Sequence, residues 1–497
     1  MRRTGRAVPA EELAERAAAL LADGFRLALV AAHDDGDRLR VVYLFLAGRP
    51  DRRVELSVTV PAGDPRLPSL AALSFPAGRF EREMHDLFGI VPEGHPLPRR
   101  LVRHAHWPSG WYPLRADAGD PPPSGAGDPF PFVPVQGEGV YEIPVGPVHA
   151  GMIGPGHFRF WVVGERILKL KARLWFTHRG VEGLFAGQDP LGDTAALALA
   201  ERISGDSAVA HGLAHCLAVE DAMGIAVPPA AQRLRALLLE LERMYNHVAD
   251  LGALANDVGF GLANSHAGRI REELLRINES VTGHRLLRGA VRPGSVRLTR
   301  LPDLAMIDAL AADVADLAAS TLAKSVVHER FSGTGVLRAT DAAALGCLGP
   351  AARASGLPVD ARLDQPFADV PVPEPSDAAT TGDVLARFTI RSEEFAASAG
   401  LVRWIAERAE GLTHRAGSQV IDCADGPRSG VGIVEGWRGT VVHRIETDRA
   451  GRLTRAKVVD PSWFNWPAIP VALADTIVPD FPLVNKSFNL SYAGNDL

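Results

Sequence analysis

"PPAAQRLRALLLELERMYNHVADLGALANDVG", residues 228–259, is the stretch on which the reading of the fold turns. Its apolar residues, among them Leu234, Leu237, Leu238, Leu241, Met244, Tyr245 and Val248, recur three and four positions apart, the period of an α-helix with one buried face. Pro228 and Pro229 stand where a first helical turn has no use for an N–H, and Gly259 stands where a chain leaves a helix. The spacing therefore predicts one long helix and, around it, a mainly helical region from about 190 to 330.

Downstream, "GRIREELLRINESVTGHRLL" (268–287) predicts a second helix. The apolar run Leu304–Ala323 predicts a third, a surface or packing helix, because Asp308, Asp313 and Asp316 interrupt it and rule out a membrane span. A Pro- and Asp-rich break, "DQPFADVPVPEPSDAATTGD" (364–383), precedes a helix expected around Arg391–Gly411. The stretch 430–460, "GVGIVEGWRGTVVHRIETDRAGRLTRAKVVD", reads as a pair of hairpins. Upstream, 146–185 predicts two or three strands with a tight turn at Val163–Arg166. Before it, 116–139 is a Pro/Gly-rich linker by composition. Residues 1–115 make an α/β unit: a helix over 10–23, strands at "FRLALVAAH", "RLRVVYLFLAG" and "RRVELSVTV", then a helix at "PAGRFEREMHDLFGI". The fold class expected is α+β: an α/β domain over 1–115, and a mainly helical domain with β-strands at its edges over 140–497.

At 497 residues, with 46% hydrophobic and 23% charged residues, the chain is long enough for two or three domains with a sizeable core. The net charge of −6 and the lack of a Lys/Arg block argue against a nucleic-acid surface. The basic start gives way to an Ala/Glu helix, so no signal peptide is expected. The three cysteines, Cys216, Cys347 and Cys423, lie far apart with no C-x-x-C, and cannot by themselves supply four thiolates to a metal or an iron–sulfur cluster. Walker A, G-x-G-x-x-G, H-E-x-x-H and G-x-S-x-G motifs are missing.

"ERISGDSAVAH" (201–211) reads as a helix entrance, with Ser204, Asp206 and Ser207 as caps for the apolar run that follows. His149, His157 and His178 fall on or beside strands near loops, where a lone histidine is structural or at the surface. Glu240, Glu242, Arg243 and His247 share one helix and predict i,i+3 and i,i+4 pairs along it. Trp437, Trp463 and Trp466 are assigned to packing.

Longer motifs carry a resemblance. "FEREMHDLFGI" (80–90), "EGHPLPRRLV" (93–102) and "WYPLR" (111–115) resemble the C subunit of respiratory complex I. "GPVHAGMIGPGHFRF" (146–160), "THRGVEGLF" (177–185), "LAVEDAMGIAVPP" (217–229), "LELERMYNHVADLGALANDVGFG" (239–261) and "TGHRLLRGAV" (282–291) resemble the large subunit of energy-converting NiFe hydrogenases of the formate hydrogenlyase type, which are homologous to the D subunit of complex I. A C-then-D fusion is the arrangement of that family.

The resemblance implies a set of site residues. Hydrogen-forming members hold a Ni–Fe centre with two C-x-x-C pairs; here those positions are Ser204 and Ser207 in "RISGDS", and Ser491 and Gly494 in "NLSYAGNDL". Soft thiolates are what such a centre needs, and hydroxyls and glycine do not replace them. No metal is therefore expected on this chain, nor a C-terminal peptide to be clipped after position 494. In complex I the same place is a quinone pocket. His157 matches the headgroup histidine and Asp257 its partner, so the two are expected close together as a proton relay; the tyrosine position falls on Gly205, and the loop from His149 to His157 is longer. The implied cavity is lined by His149, His157, Arg202, Ser204, Asp206, Ser207, Asp257 and Ser491. Implied partners are a small subunit resembling the B subunit of complex I that carries a 4Fe–4S cluster, a ferredoxin-like subunit and antiporter-like membrane subunits. A quinone-like acceptor is implied, NAD would bind other subunits, and the chain would sit on the cytoplasmic inner face of the cell membrane through its partners. Two further readings are a structural scaffold and, more distantly, an active NiFe hydrogenase.

Overall fold

In a computed structural model the described residues are 3–149, 153–191, 195–377, 379–409, 415–416, 419–420 and 428–497. Near the N-terminus, helix α1 (Leu13–Ala22) leads into strands β2 (Arg26–Asp34), β3 (Arg38–Ala47) and β4 (Arg52–Pro61), joined as antiparallel hairpins, followed by helix α2 (Phe75–Phe88). A short strand β1 (Thr4–Ala7) adds to the outer edge of β4 in parallel, giving the order β1-β4-β3-β2. Its sequence, TGRA, is fully exposed and has no apolar alternation to announce it. Strand β2 is buried along almost its whole length, because α2 packs against it on one side and a later sheet on the other. That two-sided cover explains its continuous apolar run.

Residues 116–139 are mostly exposed and form no helix or strand. They lead into an antiparallel meander of β5 (Val140–Val145), β6 (His157–Val163) and β7 (Arg166–Arg173), turning at Gly164 with φ +57°. The helical part follows: α3 (Ala208–Met223), α4 (Pro229–Asp257), α5 (Gly261–Thr282), α6 (Leu304–Leu322) and α7 (Val384–Glu407), with shorter helices between. The long helix expected over 228–259 is α4, and it packs against α5 and α7. The helix expected over 391–411 starts earlier, at Val384, capped by the Asp383 carboxylate on the amide of Ala386. Its expected end lies partly outside the described residues, as does Cys423.

The chain returns to strands β8 (Arg428–Gly436), β9 (Gly439–Thr447) and β10 (Leu453–Val459), another antiparallel meander. Helix α8 (Phe481–Phe488) and the short α9 (Tyr492–Asn495) follow. Helix α3 lies on β8 so closely that a Cβ at Gly430 or Gly432 would overlap the carbonyl oxygens of Ala218 and Ala214. The architecture is α+β, a sheet-based N-terminal part and a mainly helical remainder with sheets at its edges; a main hydrophobic core runs through both, with smaller separate clusters around Val181–Phe185 and around Ala354. Among the described residues no helix is long and apolar enough to cross a membrane.

Candidate functional site

The entrance of α3 is built differently from its expected form. Ser207 occupies the N-cap position, yet its side chain caps nothing. The first free amides, Val209 N and Ala210 N, donate instead to Glu242 Oε2 and Oε1 of α4, at 2.7 and 3.0 Å. The cap is a side chain from another helix, and this leaves the Ser-Gly-Asp-Ser polar groups for other work. Burial pushes the Glu242 carboxyl up to about 8, in spite of the two amides, with the Asp206 charge adding to the rise.

Four of the eight expected cavity residues come together. Ser204 Oγ donates to Asp206 Oδ1 at 2.9 Å and lies 2.9 Å from Ser491 Oγ, which accepts from Gly494 N at 2.9 Å. Because Asp206 is a carboxylate, Ser204 must donate to it, so Ser491 donates to Ser204 and the hydroxyls form a one-way chain. Arg438, in the hairpin turn between β8 and β9, clamps Asp206 with two bonds of 2.7 Å. Partial removal from water would by itself raise the Asp206 carboxyl; the Arg438 charge and its hydrogen bonds outweigh this and bring it to about 2. Trp437 Nε1 donates to Asp206 O at 2.9 Å and Ser207 Oγ at 3.1 Å, and its ring lies 3.9 Å under the Arg438 guanidinium. Trp437 thus packs, as expected, and also orients the cluster.

Gly494 closes the group. A Cβ there would stand 2.6 Å from the carboxyl of Asp460. Asp460 is fully engaged, accepting from His211 Nε2 at 3.0 Å and Ser462 N at 2.7 Å. Burial acts against its charge, but His211 and the nearby Arg438 hold its carboxyl below the usual range. With Nε2 committed to Asp460, His211 Nδ1 faces His443 Nε2 at 3.1 Å. Burial holds His443 well below the ordinary histidine value, and His215 beyond it down to about 4, so both are neutral.

The other expected residues stand apart. Arg202 is exposed and donates to Ala198 O at 2.7 Å, the ordinary fate of a long side chain at a helix end. His149 Nε2 bonds Gly156 O at 2.8 Å and His157 Nδ1 bonds Gly146 O at 3.1 Å, so both tie down the β5–β6 corner. That corner does abut the cluster, because Gly154 and Gly156 lie directly on the Tyr492 ring. Asp257 lies exposed by its accessible surface at the end of α4; partial desolvation raises its carboxyl and the Lys486 charge opposes the rise. Among the described residues no contact joins Asp257 to His157, so the expected relay pair is not formed: α4 ends at the surface, where the charge facing Asp257 is Lys486. His178 bonds Asp496 at 3.0 Å.

The expected pairing along α4 is also revised. Of these four, Arg243 and Glu240 pair with each other along the helix, at 3.0 Å; Glu242 caps α3, and His247 reaches Glu394 of α7 at 2.8 Å. All four are buried and serve contacts between elements. Sequence reasoning missed Glu242 as a cap, Arg438 as counter-charge, and Asp460 with His211. Each lies tens to hundreds of residues from its partner, and no local pattern marks it.

As a test of fit to a Ni–Fe centre, the donor set fails on chemistry. It offers two hydroxyls bonded to each other, a third bonded to an indole, and a glycine whose Cβ direction is filled by Asp460. These are hard, protonated groups. Among the described residues no three His, Cys, Asp or Glu side chains are grouped to hold a metal ion. Cys216 and Cys347 are buried, and burial pushes Cys347 up to about 12.

The chain matches three family models in succession: respiratory-chain NADH dehydrogenase, 30 Kd subunit, over residues 7–122; nickel-dependent hydrogenase over 179–255; and respiratory-chain NADH dehydrogenase, 49 Kd subunit, over 257–424. It is 31% identical to hydrogenase-4 component G of Escherichia coli (strain K12), covering 84% of this chain and 73% of that one. It is 31% identical to formate hydrogenlyase subunit 5 of the same organism, covering 89% and 79%. The C/D subunit of NADH-quinone oxidoreductase from Bacteroides thetaiotaomicron is 29% identical, with 81% and 80% covered. A chain from the membrane-bound sulfane sulfur reductase, an archaeal respiratory membrane complex, shares the fold with a TM-score of 0.64 at 22% identity, over 73% of this chain and 100% of that one. With a 30 Kd-type part fused ahead of hydrogenase and 49 Kd-type parts, this chain belongs to the family of energy-converting hydrogenase large subunits and complex I C/D subunits.

Proposed function

We propose that this chain is a hydrogenase-related large subunit of a membrane-associated electron-transfer complex, of the complex I and formate hydrogenlyase type, in which the former metal site holds no Ni–Fe centre. One observation carries this reading: Ser204 and Ser491 hydrogen-bond each other at two of the positions where metal-holding members would need thiolates, and Asp460 fills the direction a side chain at Gly494 would take. The complex would take electrons from a 4Fe–4S cluster in a small subunit resembling the B subunit of complex I, with ferredoxin-like and antiporter-like membrane subunits as further partners. In that assembly the chain would sit peripherally on the cytoplasmic face of the membrane.

The buried groups favour charge coupling over metal chemistry. The hydroxyl chain ends on Asp206 and Arg438, and burial raises the carboxyl of Glu242, hydrogen-bonded twice to the α3 entrance, to about 8. Such a cluster can change its charge when a neighbouring redox centre does. A quinone-like headgroup, if it is the acceptor, has His157 at the β5–β6 corner as its nearest family counterpart here. A scaffold role is the second reading, favoured by how fully Asp206 and Asp460 are compensated.

Elemental analysis of the purified complex tests the core of the proposal. Nickel should be absent, and iron should match the clusters of the partner subunits alone. Nickel near one per chain, with hydrogen-dependent dye reduction, would overturn it.

A further inference from the structure

Between α2 and β7 lies a cavity of about 350 Å³, none of whose lining residues belongs to the serine cluster. Four cations face it: Arg79 and Arg82 from α2, Lys171 and Arg173 from β7. No carboxylate lines it among the described residues. The arginines are aimed by backbone carbonyls, which fix direction without cancelling charge. Arg82 donates to Arg99 O at 2.7 Å and Arg100 O at 2.9 Å; Arg173 donates to Leu101 O and, at 3.0 Å, to Arg103 O; Arg79 donates to Trp463 O and to Asn495 Oδ1. Lys171 has no hydrogen-bond or ion-pair partner among the described residues.

The carboxylates nearby are already committed. Asp86 Oδ2 accepts from the amides of Leu101, Val102 and Arg103. Glu83 is paired with Lys457 at 2.7 Å, and Glu81 accepts from Ser69 and Leu70 N. Charges grouped this way, with no counter-ion in the wall, are costly unless something negative joins them. Burial, followed by repulsion from Arg99, Arg82, Arg79 and Arg173, brings Lys171 down to about 7. The rest of the wall is apolar and aromatic, with Phe130, Trp175 and Trp466 inside and Phe75, 47% exposed, at the edge.

We infer that this cavity is a binding site for a small organic anion, a carboxylate, phosphate or sulfonate carried on an apolar or aromatic body. The cations receive the anionic head, with guanidinium forks suited to its oxygens. The aromatic wall receives the body, and the volume suits a small molecule. Trp466, which donates to Ser491 O at 3.1 Å, and Arg79, which reaches Asn495, form a wall shared with the serine cluster. The inference stands whatever the serine cluster does.

Calorimetric titration of the full chain with naphthalene-1-sulfonate tests it, beside inorganic phosphate (head alone) and 1-naphthol (body alone). The sulfonate should bind below millimolar concentration, and each half at least about tenfold more weakly. Lys171→Met should lose about tenfold in affinity without lowering the melting temperature, since it removes an unpaired cation. A second measurement needs no variant: naphthalene-1-sulfonate should slow acylation of the Lys171 amine in the parent chain, read by mass spectrometry. No binding at millimolar concentration, equal binding of 1-naphthol, undiminished affinity of Lys171→Met, or unchanged Lys171 acylation would each overturn the assignment.

Discussion

Asp206 stands 41% exposed at its side chain against an Arg438 that is only 6% exposed, so removing the carboxylate strands a buried cation. Asp206→Asn should cost about 1–3 kcal/mol at neutral pH, less than a fully buried pair because solvent screens the aspartate. The pH dependence follows from the same geometry. With a folded value of about 2, Asp206 contributes stability that is present above the unfolded aspartate value of roughly 4 and is lost as pH falls from there toward 2. Urea unfolding at pH 7 and pH 3 should show the parent and Asp206→Asn converging in acid. An equal gap at both pH values would mean that the pair contributes shape and not charge. At this scale the sequence was a partial guide. The four thiolate-replacing positions could be aligned by motif, and Ser204, Ser207 and Ser491 do meet. Arg438 could not be found, because 232 residues separate it from Asp206 and its own surroundings read as a hairpin turn.

Helix α3 is fixed between two contacts, one at its tip and one along its side. The tip is the Glu242 cap from α4; the side is the seam on β8, where Gly430 and Gly432 let the helix backbone approach. Gly432→Ala would drive its methyl into the Ala214 carbonyl and push α3 off the sheet, with Ser207 and the Trp437 indole at risk together. A loss of about 2–3 kcal/mol is expected from overpacking of this kind. A urea midpoint for Gly432→Ala within error of the parent would show that the seam can relax. Elements with a strong period of their own, α4 and the strands β2 to β4, were legible from the sequence. The capping of α3 was not, because Ser and Asp at a helix start read the same whether they cap the helix or leave that task to a distant carboxylate. Strand β1 was missed since its place is set by the edge of β4 and not by its four residues.

The N-terminal part and the remainder meet across a charged seam. Arg444 bonds Glu55 at 3.0 Å, Arg40 bonds Glu446 at 2.8 Å, Lys457 bonds Glu83 at 2.7 Å, and Phe80 stacks on Trp463 at 4.9 Å. Residues 116–139 lie mostly exposed outside that seam. Limited proteolysis should therefore cut within 116–139 first, and the two fragments should still elute together in physiological salt. Earlier cutting inside 190–300, or fragments that separate, would contradict this. The composition of 116–139 sets the expectation of a linker that this digestion tests; the seam has no such signal, since Arg40, Glu55 and Glu83 look like ordinary surface charges until their partners are known. The distance between Asp206 and Arg438 along the chain also has a temporal side. During synthesis at roughly 5–20 residues per second, Asp206 leaves the ribosome on the order of tens of seconds before Arg438 exists. Through that interval the carboxylate has no Arg438 to pair with, and the serine cluster, whose Ser491 is made later still, can be completed only after the last strands and the final helices have emerged.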